Sequence, residues 1–151
     1  MGEELAPAGS SARSLRIVLD TSSLVPAVLF RGPVSGVLEL MRSGRVRLVA
    51  SPAIIEEYER VFRYPKFRLD TDTAQAIMAQ HVLPYCEVVQ VDADIPWCRD
   101  PSDDKFLNCA IKGQVDAIVA SDKDILALGP MFQGTLVLTP AQLLEGFVPG
   151  Q

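Results

Sequence analysis

The sequence predicts an α/β fold: one domain with a central parallel sheet of four to five strands and helices on both faces. Three observations carry this. Short apolar runs rich in Val, Ile and Leu alternate with longer amphipathic stretches. Several of those stretches open on a capping residue followed by proline, as in Ser51-Pro52, Asp100-Pro101 and Thr139-Pro140. That pairing starts helices. Two of the apolar runs, about 15–20 and 116–120, lead into aspartates, Asp20 and Asp122, that stand at the start of a helix. In open parallel sheets ligands bind at the carboxyl ends of the strands.

The elements follow in order. The first strand covers about 15–20, and a helix over 22–30 breaks near Arg31-Gly32-Pro33. A second helix, about 34–43, closes at Gly44, and a second strand covers 45–50. Helix three starts at Ser51-Pro52 and runs to about Arg63, with Ile54, Tyr58 and Val61 as its apolar stripe and Ile55 and Phe62 beside it. Asp72 or Thr73 caps helix four, which Pro84 stops. Strand three is expected at 86–91, a loop at 92–100, helix five at 101–112, strand four at 116–120, a short helix from Asp122 to Leu128, strand five at 135–138 and a last short helix after Thr139.

The 151 residues are one domain's worth, assigned to 15–147, with 1–14 read as a disordered tail. No apolar run reaches the ~18 residues of a membrane span. Glu3 and Glu4, without an apolar segment behind them, do not read as a secretory signal. Three cysteines and no CxxC argue against a disulfide framework or a zinc site and suit a reducing cytoplasm. The single histidine, His81, cannot build a His-rich metal site. A net charge of −5 counts against a broad nucleic-acid surface, but not against a nuclease whose acids cluster around a metal.

Four acids stand at equivalent ends of elements. Glu57 points within about 60° of Ile54 on helix three, beside the buried stripe, whereas Glu56 points away. On helix five, capping and the helix dipole explain Asp100 fully. Phe106, Leu107, Ala110 and Ile111 mark the buried side, with Asp103 near its middle and Asp104 at its edge. Asp20 and Asp122 are each explained by capping about as well as by chemistry. Carboxylates brought together repel unless a cation sits among them, and all-oxygen sites suit Mg²⁺ or Mn²⁺. No phosphate-cradling loop or nucleophilic serine motif competes.

With Asp20, Glu57, Asp103 and Asp122 in chain order, the sequence resembles the PIN-domain ribonuclease family, most of all its VapC-like toxin branch. The matching segments are Ile17-Val18-Leu19-Asp20-Thr21, Ser51-Pro52-Ala53-Ile54-Ile55-Glu56-Glu57-Tyr58, Arg99-Asp100-Pro101-Ser102-Asp103-Asp104-Lys105-Phe106-Leu107 and Ala117-Ile118-Val119-Ala120-Ser121-Asp122-Lys123-Asp124-Ile125-Leu126. The resemblance implies a PIN-like α/β/α domain and a Mg²⁺/Mn²⁺-dependent endoribonuclease. It implies that Asp20, Glu57, Asp103 and Asp122 hold the metal, that Asp104 and Asp124 support them, and that Thr21 and Ser121 place hydroxyls nearby. It also implies a homodimer silenced by an antitoxin protein. Ser22 stands where the family often has Asn, keeping a hydroxyl and losing an amide.

For RNA, candidate phosphate contacts are Arg45 and Arg47 near strand two, with Arg42, and Arg63, Lys66 and Arg68 after helix three, with Arg60. Tyr64 and Phe67 interleave with the second group as stacking surfaces. Trp97 reads as a packing aromatic before a substrate contact. Two other readings stand beside this one: an α/β phosphohydrolase with Asp20 as nucleophile, and a non-catalytic binding module in which the acids are only caps.

Overall fold

The computed structural model describes residues 13–30 and 32–146. Most of the tail assigned to 1–14, and Arg31, lie outside the described residues. The chain forms β1 (Leu15–Leu19), α1 (Thr21–Leu29), α2 (Gly36–Arg42), β2 (Val46–Ala50), α3 (Pro52–Phe62), α4 (Thr71–Ile77), β3 (Cys86–Val88), α5 (Asp104–Gly113), β4 (Ala117–Val119), α6 (Lys123–Leu126), β5 (Met131–Phe132), β6 (Thr135–Leu138) and α7 (Pro140–Glu145).

The six strands lie in the order β3-β2-β1-β4-β6-β5. All neighbours are parallel except β5 and β6. From β1 the chain winds out to β2 and β3 on one side. It then returns across the sheet to β4 on the other. The strand order therefore switches between β1 and β4, and the crevice at such a switch is where α/β sheets bind ligands. Asp20 ends β1 and Asp122 follows β4, so both lie there. Ile17, Val18, Leu19 and Ala117, Ile118, Val119 are fully buried, as strands covered on both faces require.

Local chemistry explains most helix starts. Asp20 accepts from the Ser23 amide, Ser51 from Ile54, Asp122 from Asp124, and Thr139 forms a reciprocal capping box with Gln142. Gly44, at φ +79, ends the α2 turn in the left-handed region that glycine enters without strain. On α3 the buried stripe is Ile54, Tyr58 and Phe62, with Val61 only half-buried. The Tyr58 hydroxyl donates to the Leu19 carbonyl, which fixes α3 against the end of β1 and so places Glu57 near Asp20.

Four expectations change. Asp70, not Asp72 or Thr73, caps α4: its carboxylate takes the Thr73 amide at 2.7 Å, while Asp72 stands in the first turn. Strand three stops at Val88, because its partner β2 ends at Ala50 where Ser51 turns into α3. The last ladder bond is from the Val89 amide to the Ala50 carbonyl. Helix five begins as a tight 3₁₀ turn, Pro101–Asp103, before α5. The β5–β6 hairpin was not foreseen: two residues are too few to show alternation. Its two-residue turn puts both Gln133 (φ 50) and Gly134 (φ +81) in the left-handed region, the signature of a type I′ turn.

Candidate active site

Asp20 is 2 % exposed. One carboxylate oxygen accepts from the Ser23 amide at 3.0 Å, and the other accepts from the amides of Ser121 and Asp122, each at 3.0 Å. The residue thus caps α1 and ties the end of β1 to the segment after β4. Burial raises its pKa, and the hydrogen bonds from Ser23, Asp122 and Ser121 pull against that rise. The hydroxyls of Ser23 and Ser121 meet at 2.7 Å and tighten the same junction.

Glu57 reaches this junction from α3. One of its oxygens accepts from the Thr21 hydroxyl and the other from the Lys105 ammonium. Arg60, one turn on, lies 3.7 Å from Glu57. Glu57 therefore arrives with cations already beside it.

Asp103 has no such partner. It is 8 % exposed, and its Oδ2 is the one buried side-chain oxygen or nitrogen without a hydrogen bond among the described residues. Burial first, then the charge of Asp122 and of Asp100, push its carboxyl up to about 7. Carboxyl oxygens of Asp100, Asp103 and Asp124 lie within 4.8 Å of one another. Asp124 also pairs with the exposed guanidinium of Arg99 at 3.1 Å. Asp100 does cap the helix, taking the Ser102 amide and hydroxyl, which lowers its pKa. The cap is not its only neighbourhood, because it also stands against Asp103.

Asp104 is as buried as Asp103 but turns elsewhere. Its Oδ1 accepts the amides of Trp97 at 2.8 Å and Cys98 at 2.7 Å, and so holds the loop that leads to Asp100. Trp97 packs edge-on against Phe132 at 5.0 Å and donates its ring N–H to Asn108. It is a packing group here. The thiol of Cys98, near these acids, is pushed up to about 12, mainly by burial and then by Asp103 and Asp104, so it carries no thiolate chemistry.

The predicted acids thus fall into two groups. Asp103 and Asp122 face each other, with Asp20 bonded to the Asp122 backbone. Glu57 stands to one side, linked through Thr21. The sequence reading missed Lys105, Arg99 and the proximity of Asp100. Asp100 and Asp103 lie three residues apart in one turn, which was the available signal. For Lys105 there was none, since its choice of Glu57 depends on how α3 and α5 pack.

The basic candidates divide as well. Arg47 registers with Arg16, four residues before Asp20, and pairs with Glu87 at 3.4 Å, so it and Arg45 sit at the opposite end of the sheet from the acids. Arg42 contacts His81. Arg63 pairs along α3 with Glu59. Lys66 and Arg60 line a groove of about 560 Å³ that also takes in Thr21, Ser22, Glu57 and Ser102, and it opens beside the acids. Arg68 is exposed at the end of the turn that follows α3, at φ 55.

A family model for the PIN domain matches residues 16–124, which span β1 to α6 and all the acids above. The chain belongs to the PIN domain family. One relative, the uncharacterized protein MJ1680 of Methanocaldococcus jannaschii, is 24 % identical over 117 residues, covering 76 % of this chain and 75 % of that protein. Among solved structures, VapC20 of Mycobacterium tuberculosis, described as a sarcin-ricin loop cleaving toxin, aligns with a TM-score of 0.53 at 18 % identity, covering 80 % of this chain and 98 % of that one. PAE2754 from Pyrobaculum aerophilum aligns with a TM-score of 0.55 at 15 % identity, covering 100 % and 99 %. At these identities the likeness is one of fold.

A divalent cation fits this donor set. Carboxyl oxygens of Asp100, Asp103 and Asp124 converge, and Asp103, the most buried of the three, has an oxygen with nothing bonded to it. That is the chemistry of a hard, oxygen-seeking ion.

Proposed function

We propose that this PIN domain is a Mg²⁺- or Mn²⁺-dependent endoribonuclease, the toxin of a toxin–antitoxin pair. The observation that carries the reading is Asp103: a buried carboxyl, unpartnered at Oδ2, pressed against Asp122, Asp100 and Asp124. Capping alone would leave such a group hydrogen-bonded, since an unsatisfied buried polar group is costly. Asp20, Glu57, Asp103 and Asp122 would hold the ion, with Asp100 and Asp124 at its edge. The bound ion supplies Lewis-acid activation of water and neutralises charge in phosphodiester hydrolysis.

The chain's own groups do the rest. Asp20 locks the two strand ends in register through three amides. Asp104 fixes the approach loop. Lys105 and Arg60 put positive charge beside Glu57, on the side where the groove would receive the RNA backbone. Lys66 and Arg68 extend that charge, and Arg63 lies on the preceding turn.

The likeness to VapC20, a toxin that cleaves the sarcin-ricin loop, supports RNA as substrate and an antitoxin protein as partner; the homodimer rests on the sequence resemblance alone. The three cysteines are unpaired, as suits action in the cytoplasm. No helix among the described residues is long and apolar enough to cross a membrane. The phosphohydrolase reading fares worse, because Asp20 is followed by Thr21 and Ser22 and not by the second acid of a DxD pair.

The test is cleavage of defined RNAs by the wild type and by Asp20→Asn, with Mg²⁺, with Mn²⁺ and with EDTA. Cleavage should need the metal and vanish in the variant while the fold survives. Activity that persists in EDTA, or in folded Asp20→Asn, overturns the reading.

A further inference from the structure

We propose that the site is built for one divalent ion, on the Asp103 side of α5, and that the Lys105 ammonium holds the place against Glu57 that a second ion would otherwise take. Hydrolytic metal sites work with one ion or with two, so the number is a property of the particular chain. The proposal rests on the metal-dependent reading above and narrows it. Glu57 serves the ammonium, and the ion falls to Asp103 and its neighbours.

The helix itself keeps the two places apart. Positions two apart on a helix differ by about 200° in direction. Residues 103 and 105 therefore leave the start of α5 on opposite sides. Asp103 turns toward Asp122, Asp100 and Asp124. Lys105 turns toward α3, where its ammonium donates to one oxygen of Glu57. The three carboxyl oxygens that lie within 4.8 Å of one another come from Asp100, Asp103 and Asp124, and Glu57 is not in that group.

Charge divides the same way. On the first side four carboxylates stand together, and the cation paired with them among the described residues is the exposed Arg99. Asp103, more than nine-tenths buried, has an oxygen there that no donor meets. On the second side a single carboxylate meets two cations, Lys105 and, at 3.7 Å, Arg60. The Thr21 hydroxyl donates to the other oxygen of Glu57, so both oxygens already carry a donor. The Glu57 side chain is only 14 % exposed. An ion at Glu57 would have to expel the ammonium and then stand one turn from Arg60, and like charges so little screened by water repel strongly. An ammonium supplies the charge balance that Glu57 needs, and it leaves the unmet oxygen of Asp103 as the vacancy for the ion.

The experiment counts ions on the full chain. Calorimetric titration with Mn²⁺ gives the stoichiometry and the dissociation constant, and the paramagnetic resonance spectrum of Mn²⁺ shows whether two ions couple. The wild type should bind one ion, with no coupled pair. Asp103→Asn should lose it. Glu57→Gln should keep it, with the dissociation constant changed by less than about tenfold, the lower limit for loss of a group that supports a metal site. Lys105→Met should bind a second ion, and adding Glu57→Gln to Lys105→Met should return the count to one. Lys105→Arg should stay at one.

Thermal melting checks that each variant is folded, and Glu57→Gln decides if Lys105→Met unfolds. Two ions on the wild type, a weakening beyond about tenfold in folded Glu57→Gln, or a single ion on folded Lys105→Met overturns the proposal. Two ions on a wild type that cleaves RNA remove it and leave the ribonuclease reading standing. One ion on a wild type that cleaves no RNA removes the ribonuclease reading and leaves the division of the acids intact. A wild type that binds no Mn²⁺ sinks both.

Discussion

At the amino-terminal half of the sheet, Glu87 and Asp116 each have a cation. Glu87 takes the guanidinium of Arg16 at 2.7 Å and that of Arg47 at 3.4 Å, and Arg16 also donates to the carbonyl of Gly113 at the end of α5. Asp116 accepts the Arg16 amide and the Arg13 guanidinium, each at 2.9 Å. At the carboxyl end, carboxyl oxygens of Asp100, Asp103 and Asp124 converge and Asp122 lies against Asp103; the cations paired there are the exposed Arg99 with Asp124 and Lys105 with Glu57. The pKa directions follow. Arg16 holds Glu87 below its usual value. Burial pushes Asp116 up, but the Arg16 amide and Arg13 overcome it and leave it lowered. Asp20 and Asp103 both go up, chiefly from burial. One sheet thus carries a network that stabilises the fold at one end and an uncompensated charge cluster at the other. Uncompensated charge persists in a folded protein mainly where function needs it.

The sharpest way to break this contrast is to remove one acid from each end. Asp103→Asn should lower RNA cleavage on the order of 100-fold or more, as loss of a metal-holding carboxylate does in hydrolytic sites, and the metal-free melting temperature should stay level or rise. Glu87→Gln should do the reverse. Cleavage should stay near wild type, while stability falls by roughly 0.5–1 kcal/mol, a figure kept small because the pair is partly exposed. Parallel cleavage assays and denaturant melts check both. If Asp103→Asn is the more destabilised of the two, the carboxyl-end cluster is structural after all.

How much of this was legible beforehand depends on the range of the interaction. The caps at Asp20, Ser51, Asp122 and Thr139 could be read because a cap and its amide lie within three residues. The order of strands and helices could be read for the same reason, from periodicity within each segment. What could not be read is the choice between partners that are equally near in sequence. The stripe on helix five put Asp103 ahead of Asp104 as the site acid, but not what each would touch: both are buried at the start of one helix, and one meets Asp122 while the other takes the Trp97–Cys98 amides, because the loop before Asp100 folds over that side. Lys105 meets Glu57 only because α3 and α5 pack together. Arg47 was grouped with the substrate contacts by charge, whereas the register of β1 and β2 carries it toward the other end.

A smaller effect follows from adding the ion. If the carboxyl-end cluster is a metal site, Mn²⁺ at about 100 times its dissociation constant should stabilise the protein by about 2.7 kcal/mol. The shift should vanish in Asp103→Asn and persist in Glu87→Gln. Calorimetric titration with Mn²⁺ gives the constant, and melts with and without the ion give the shift. Equal stabilisation of both variants would place the ion somewhere other than this cluster.

The smallest effect is on pH dependence, and its sign separates the two ends. Asp103 has a folded-state pKa of about 7, above its unfolded value. The folded state therefore binds the proton more tightly. The resulting stability is fully present below the unfolded value of ~3.9 and is lost as pH rises through about 7. Asp20, also raised, acts in the same sense. Glu87 and Asp116 are lowered, so their contribution is present above their unfolded values, near ~4, and is lost as pH falls through the folded ones. In EDTA, melting temperature should thus climb on leaving acid and then decline toward neutrality. Asp103→Asn should flatten the decline and leave the acid limb alone, and Glu87→Gln should soften the acid limb and leave the decline. Mn²⁺ should remove the decline in the wild type, because a cation among the carboxylates replaces the proton that Asp103 otherwise keeps.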